Sequence, residues 1–125
     1  MAFSAIIKPS DYFNTKLYTG NGSTNAQTGV GFQPDFTWLK KRSGAASHAL
    51  QDAVRGNDKT FKTNTTAAQF TQSFFTSFNS DGFTVATTEP DVNASGNNYV
   101  AWNWKANGQG SSNTDGTINS TYTSA

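Results

Sequence analysis

The sequence predicts an all-β domain, an antiparallel β-sandwich of jelly-roll-like form with about seven short strands. Three observations predict it. Aromatic residues make up 14% of the chain, with ten Phe, four Tyr and three Trp set among Gly, Asn, Ser and Thr. Those side chains fit a pleated, half-buried surface, and the residues between them favour turns. The apolar residues also fall in short runs, several alternating with period two, that are bounded by Gly, Pro, Asn or Asp.

At 125 residues the chain has the size of one domain and can bury a modest core. Charged residues are only 14% and the net charge is +1, so the surface is polar but mostly uncharged. Disorder ordinarily combines low hydrophobicity with high net charge and few aromatics, which is a different balance. A net charge of +1 gives no electrostatic case for nucleic acid as a partner. Lys40-Lys41-Arg42 is the one basic cluster, and it falls where a strand runs into its turn. With no cysteine, disulfides and thiolate metal sites are excluded. Nothing near Met1 resembles a signal peptide and no apolar run has the length of a membrane span. A soluble protein without an ordinary secretory leader, and without membrane insertion, is expected.

Residues 1–12 form an apolar start with Phe3, Ile6 and Ile7, followed by Pro9 and a Ser10-Asp11 turn signal. Left exposed, such an arm is sticky, so Phe3, Ile6 and Ile7 are candidate assembly contacts. The domain itself is expected over residues 13–106. Residues 13–19 read as its first strand, ended by Gly20-Asn21-Gly22. Gly29-Val30-Gly31-Phe32 leads to Pro34, which fixes φ and belongs at a strand entrance. In residues 36–41, Phe36, Trp38 and Lys40 take one face and Thr37, Leu39 and Lys41 the other.

In residues 47–54, Ala49, Leu50, Ala53 and Val54 could line a helix face, but only two turns fit before Gly56. A strand is the better reading. Residues 60–63 read as a short strand, and 65–73 as one helical turn or a loop. Residues 74–78 and 83–87 flank Asn79-Ser80-Asp81-Gly82, whose Asp-Gly step suits a tight hairpin. In residues 99–105, Val100, Trp102 and Trp104 face one way and Tyr99, Ala101 and Asn103 the other. Residues 107–125 have linker composition, with Ile118 and Tyr122 as the large apolar groups.

Catalytic and metal-binding signals are weak. His48 is the single histidine, and a triad through Asp52 lacks a marked serine nucleophile. One histidine and no cysteine leave no zinc site. Asn79, Asp81, Asp91 and Asn93 could converge on calcium, although Asp and Asn also make turns unaided. A carboxylate pair for glycoside hydrolysis could be drawn from Asp52, Asp58, Asp81, Glu89 and Asp91, but no spacing selects one. Gly20-Asn21-Gly22-Ser23-Thr24 lacks the Lys-Ser/Thr ending of a phosphate loop. The expectation is a protein that is not an enzyme and carries no cofactor. Trp38, Trp102 and Trp104 suit either inter-sheet core, the commoner use of large aromatics on a central strand, or a platform for sugar rings. They are the candidate glycan-stacking residues. The sequons at Asn21, Asn64, Asn93 and Asn119 follow from an Asn/Ser/Thr-rich chain.

Two blocks carry a family resemblance. The first runs from Lys8-Pro9-Ser10-Asp11-Tyr12-Phe13-Asn14-Thr15 through Tyr18-Thr19-Gly20-Asn21-Gly22-Ser23 to Gly31-Phe32-Gln33-Pro34-Asp35-Phe36-Thr37-Trp38. The second joins Thr76-Ser77-Phe78-Asn79-Ser80-Asp81-Gly82-Phe83-Thr84-Val85 to Asn98-Tyr99-Val100-Ala101-Trp102-Asn103-Trp104-Lys105-Ala106. Val54-Arg55-Gly56 and Asn64-Thr65-Thr66 lie between them. Over nearly all of the chain up to Ala106, this wording resembles the recurring β-rich domain of tail-fibre-like and other virion appendage proteins of tailed, especially marine, bacteriophages. That family has no assigned chemistry, so no catalytic residue carries over. The resemblance implies a virion structural protein in a tail fibre or a head-surface decoration, made in the host cytoplasm. Its implied partners are other virion proteins, further copies of itself and, in a lectin-like alternative, a host-surface glycan.

Overall fold

Two antiparallel sheets face each other across an aromatic core, in an all-β sandwich with no α-helix among the described residues. The computed structural model describes residues 8–106, 111–113 and 120–122. A 3-10 turn at Pro9–Asp11 leads into β1 (Phe13–Thr19), followed by β2 (Thr24–Gln27), β3 (Phe36–Lys41), β4 (Ala49–Asp52) and β5 (Lys59–Lys62). Then come β6 (Phe70–Thr71), β7 (Phe75–Asn79), β8 (Gly82–Ala86), β9 (Asn98–Trp104), β10 (Ser111–Asn113) and β11 (Ser120–Tyr122). The large sheet has the order β1-β9-β3-β4-β5-β6 and the small one β2-β8-β7.

The strands expected from alternation are all present, and residues 47–54 hold the strand β4 rather than a helix. Four more, β2, β6, β10 and β11, raise the number to eleven among the described residues. The stretch expected as a helical turn or loop, 65–73, contains β6, which pairs with β5. The segment 107–125, of linker composition, contains β10 and β11, paired with one another. Phe3, Ile6 and Ile7 lie outside the described residues.

Strand β9 is central. It pairs on one side with β1, where Trp104 lies opposite Phe13, and on the other with β3, where Trp104 lies opposite Phe36. Its inward residues Tyr99, Ala101 and Asn103 are fully buried. Tyr99 stacks on Tyr18 with ring centroids 5.3 Å apart, and Tyr18 meets Phe83 of the small sheet edge-on at 6.1 Å. Phe75 and Phe83 stack at 4.8 Å, and Leu39, Ala49, Phe74, Val85, Val92 and Ala101 complete the cluster. The buried tyrosine hydroxyls are satisfied: Tyr18 donates to the Val92 carbonyl at 2.6 Å and Tyr99 to the Pro90 carbonyl at 2.9 Å. Burial pushes both phenols up from their ordinary value.

Two polar groups tie the loops to this frame. Asn93 is fully buried; its Oδ1 accepts from the Asn21 amide and Asn25 Nδ2. Its Nδ2 lies within hydrogen-bonding distance of Asn21 Oδ1 and of the Ser23 and Thr87 carbonyls. The Gly20-Asn21-Gly22 turn is therefore folded around Asn93. Asp81, in the β7–β8 hairpin, accepts from the Gly29 amide at 2.8 Å and the Gly31 amide at 2.7 Å, while its own carbonyl accepts from Val30. Three successive amides converge because Gly29 and Gly31 adopt φ of 79° and 90°, forming an anion-binding nest. These backbone bonds, with Lys16 nearby, hold the Asp81 carboxyl below the usual carboxylate range. The next residue, Gly82, has φ 148°, and any side chain there would overlap the Gln27 carbonyl.

The chain enters and leaves the sandwich at one end. The Lys105 amide donates to the Tyr12 carbonyl at 2.8 Å, and the Ala106 amide donates to Asp35 Oδ2 at 2.8 Å.

Truncating Asn93 to Ala orphans several buried groups at once, and a loss of about 2–3 kcal/mol is expected in urea unfolding. A loss below about 0.5 kcal/mol, the scale of a neutral surface change, would remove Asn93 from this role. Asp81→Asn is expected to lower the melting temperature at neutral pH. Since the folded carboxyl titrates below its unfolded value of about 3.9, its contribution is complete above that value and vanishes as pH falls through the folded one. The gap between the two proteins should therefore close on acidification; a gap constant from pH 7 to pH 2 would contradict the nest.

Candidate functional site

The outer face of the large sheet is the feature that the fold itself does not use. Because residues paired across antiparallel strands share a face, the register generates rows. Phe13, Trp104, Phe36 and Asp52 make one row across β1, β9, β3 and β4. Thr15, Trp102, Trp38, Leu50 and Phe61 make the next, which extends to β5. Leu17, Val100 and Lys40 make the third. An antiparallel sheet with one face on its core normally presents polar residues on the other. Here both faces of β9 are apolar.

The tryptophans stand on this outer face, which corrects the expectation of an inter-sheet core role. Trp38, Trp102 and Trp104 are all half-buried, while the space between the sheets is filled from the other side of β9 and β3. Trp38 packs on Trp102 at 5.2 Å with planes tilted by 42°. Trp104 sits between Phe13 at 4.9 Å and Phe36 at 5.0 Å. The rings therefore make a ridged cluster, with neighbouring planes inclined to each other. At its margin Phe13 is 39% and Leu17 55% exposed.

Polar groups frame the cluster. Trp38 Nε1 donates to Thr63 Oγ1 at 3.0 Å, and the His48 ring lies 6.1 Å from the indole. Arg55 lies over the Phe61 ring at 4.3 Å, pairs with Asp52 and donates to Gln69. Lys40 folds along the sheet so that Nζ reaches the Ala46 carbonyl. The rim thus carries both signs of charge, and its centre carries none.

The acidic residues considered for chemistry are spread across the molecule. Asp52 holds Arg55 and is not directed to His48. Asp58 pairs with Lys59, whose hydrogen bond lowers its pKa, and Asp91 pairs with Lys62 at 2.9 Å and caps the Ser47 amide. Asp81 occupies its nest, Asn79 binds Thr84, and Asn93 lies in the interior, so the four suggested calcium ligands do not converge. Among the described residues no group of three or more His, Cys, Asp or Glu is placed to hold a metal ion. Among the described residues no helix is long and apolar enough to cross a membrane. Burial of Asn93 also removes that sequon from use.

Sequence reasoning identified the tryptophans but missed Phe13, Leu17, Leu50, Phe61 and Val100 as their neighbours. A signal was present: Tyr99-Val100-Ala101-Trp102 is apolar without a break, which marks a strand covered on both faces. Phe13→Ser, which loses the ring packed on Trp104, and Leu17→Ser should each cost about 0.5–1.5 kcal/mol in urea unfolding, whereas Phe83→Ala in the core should cost about 3–5 kcal/mol. Equal costs at the two kinds of position would show the outer residues to be part of the folding core.

No match is found among curated proteins or among solved structures. One family model, described as a domain of unknown function, matches residues 8–125, a span that takes in every described strand. The chain belongs to that family, DUF7483.

Proposed function

We propose that this domain is a non-enzymatic component of a phage virion, in a tail fibre or a head-surface appendage, that assembles with other virion proteins through the outer face of its large sheet. The observation that carries the binding role is the ridged aromatic cluster on a face where a free-standing sheet would be polar. A contiguous apolar surface with a mixed-charge rim has the anatomy of a protein interface. The inclined ring planes suit interdigitating side chains better than a flat stack. The placement in a virion rests on the resemblance of the two sequence blocks to phage appendage domains. Phe3, Ile6 and Ile7 are proposed as additional assembly contacts within a homo-oligomer.

A lectin-like role is the second reading, favoured by the half-buried indoles of Trp38, Trp102 and Trp104 on the outer face, with Thr63 and His48 beside Trp38. Sugar rings stack on indole faces, and a neutral cluster suits an uncharged glycan.

Immunogold labelling of purified particles with an antibody to the domain should decorate a tail or head appendage. Particles that lack the chain would overturn the assignment. Trp102→Ala in the phage should lower incorporation of the protein at least several-fold, with folding of the isolated domain retained. Normal incorporation together with loss of glycan-array binding would transfer the face to the lectin-like reading.

A further inference from the structure

We infer that two copies of the chain pair edge to edge through β1, antiparallel and about a two-fold axis at Thr15, so that their large sheets join into one. The inference goes beyond the assembly role proposed above, because it concerns the edge of the large sheet and not its outer face.

Of the sheet edges, β1 is the one left open. The two facing sheets end at β1 and β6 and at β2 and β7. An exposed edge is a template for another strand, and proteins ordinarily blunt it with short strands, bulges or charges. Strand β6 has two residues, and β2 has four with no large apolar side chain. In β7 the register shifts between Phe75 and Ser77, and Asn57 Nδ2 reaches the Phe75 and Thr76 carbonyls. Strand β1 has seven residues in unbroken register with β9. Its one charge, Lys16, is folded against its own chain, with Nζ beside Gly29 and near Asp81.

The backbone of β1 is set up to pair. At the two ends of the β1–β9 ladder, the Lys105 amide donates to the Tyr12 carbonyl and the Gly20 amide to that of Asn97. Even-numbered residues of β1 therefore bond to β9, and the N–H and C=O groups of Phe13, Thr15, Leu17 and Thr19 point to the edge. Asn14 Oδ1 accepts from the Thr15 amide at 2.9 Å, and Asn25 Nδ2 donates to the Thr19 carbonyl at 3.0 Å. The amides and carbonyls of Phe13 and Leu17 have no partner among the described residues.

The side chains select a second β1 as the incoming strand. Tyr12, Phe13, Leu17 and Val54 are the large hydrophobic residues exposed among the described residues, and Phe13 and Leu17 flank Thr15 symmetrically. In an antiparallel pair centred on Thr15, Phe13 of each copy lies opposite Leu17 of the other, and Thr15 opposite its counterpart. Each of these pairs exchanges both backbone bonds, the Thr15 amide leaving Asn14 to do so. Lys16 then falls opposite Asn14. Centring the pair one residue later would set Lys16 against Lys16, with like charges directly opposed. Centring it one residue earlier would set Leu17 against Asp11, which lies in the 3-10 turn beyond the strand. The Thr15 register is the one that covers both exposed side chains. It also keeps both outer faces on one side, so the row Phe36, Trp104, Phe13 of one copy continues into Leu17 and Val100 of the other.

The chain has no cysteine, so a single introduced thiol reports the register. Thr15→Cys would stand about 5.5 Å, Cα to Cα, from its counterpart, within disulfide range. Thr19→Cys, exposed on the same edge, would stand about 27 Å from its own. Under mild oxidation T15C should form the linked dimer at least about tenfold faster than T19C. In sedimentation equilibrium at about 100 μM the native 125-residue chain should be dimeric. Leu17→Lys, which places a charge on the edge, should dissociate at least about tenfold more readily with unchanged circular dichroism. A monomeric native chain, equal crosslinking at the two positions, or a dimer indifferent to Leu17→Lys would each overturn the inference. A dimer lost in Trp102→Ala but kept in Leu17→Lys would place the contact on the outer face and likewise refute the edge. Particle labelling is independent of these readings, so failure of the edge pairing is distinguishable from failure of the virion assignment.

Discussion

Everything in this molecule depends on the register of β9 between β1 and β3. That register places Trp104 opposite both Phe13 and Phe36, and Asn103 opposite both Asn14 and Thr37. Side chains alternate with period two, so a slip of one residue would send the tryptophans into the sandwich and Tyr99 and Ala101 out of it. With both faces of β9 apolar, hydrophobicity alone discriminates weakly between the two arrangements. Polar contacts provide the missing discrimination. Thr37 Oγ1 donates to the buried Asn103 Oδ1, and Asn103 Nδ2 donates to the Asn14 carbonyl, three strands joined through one amide. In the slipped register that amide would face the outer side and these bonds would be lost.

The loops reinforce the same choice from a distance. Asn93 gathers the 20–25 turn and Thr87, while Asp81 draws the Gly29–Gly31 strap onto the hairpin and so fixes the approach to β3. The glycines of the strap serve a bound carboxylate from the protein's own chain, which occupies the nest that a free anion would otherwise take. The conspicuous Gly-Val-Gly wording is thus explained by architecture, and the reactive-looking acids are occupied as structural ligands.

How much of this was legible in the sequence differs from element to element. Residues 13–19, 36–41 and the Asn79–Gly82 hairpin were readable because alternation, Pro34 and an Asp-Gly step are local signals. Strands β2 and β6 were not, since Thr24–Gln27 and Phe70–Thr71 have no pattern of their own and are strands only through their partners β8 and β5. The candidate site was half legible. Period two separated Trp102 and Trp104 from Tyr99 and Ala101, but which set lies inside is decided by Phe75, Phe83 and the Asn103 bonds, all remote in sequence. Phe61 and Leu50 joined the cluster only through register.

The joined ends of the sandwich have a mechanical consequence. Tyr12 and Lys105 are hydrogen-bonded neighbours at the head of two adjacent antiparallel strands, so a pull on the two ends of the domain separates β1 from β9 like a zipper. The ladder's bonds run across the strands and would be loaded one after another, with the Phe13–Trp104 contact the first to part. Strands that leave from opposite ends shear many bonds together; these do not. The sandwich is built to yield at its outer aromatic edge under tension, and a partner seated on that edge would act as a clasp.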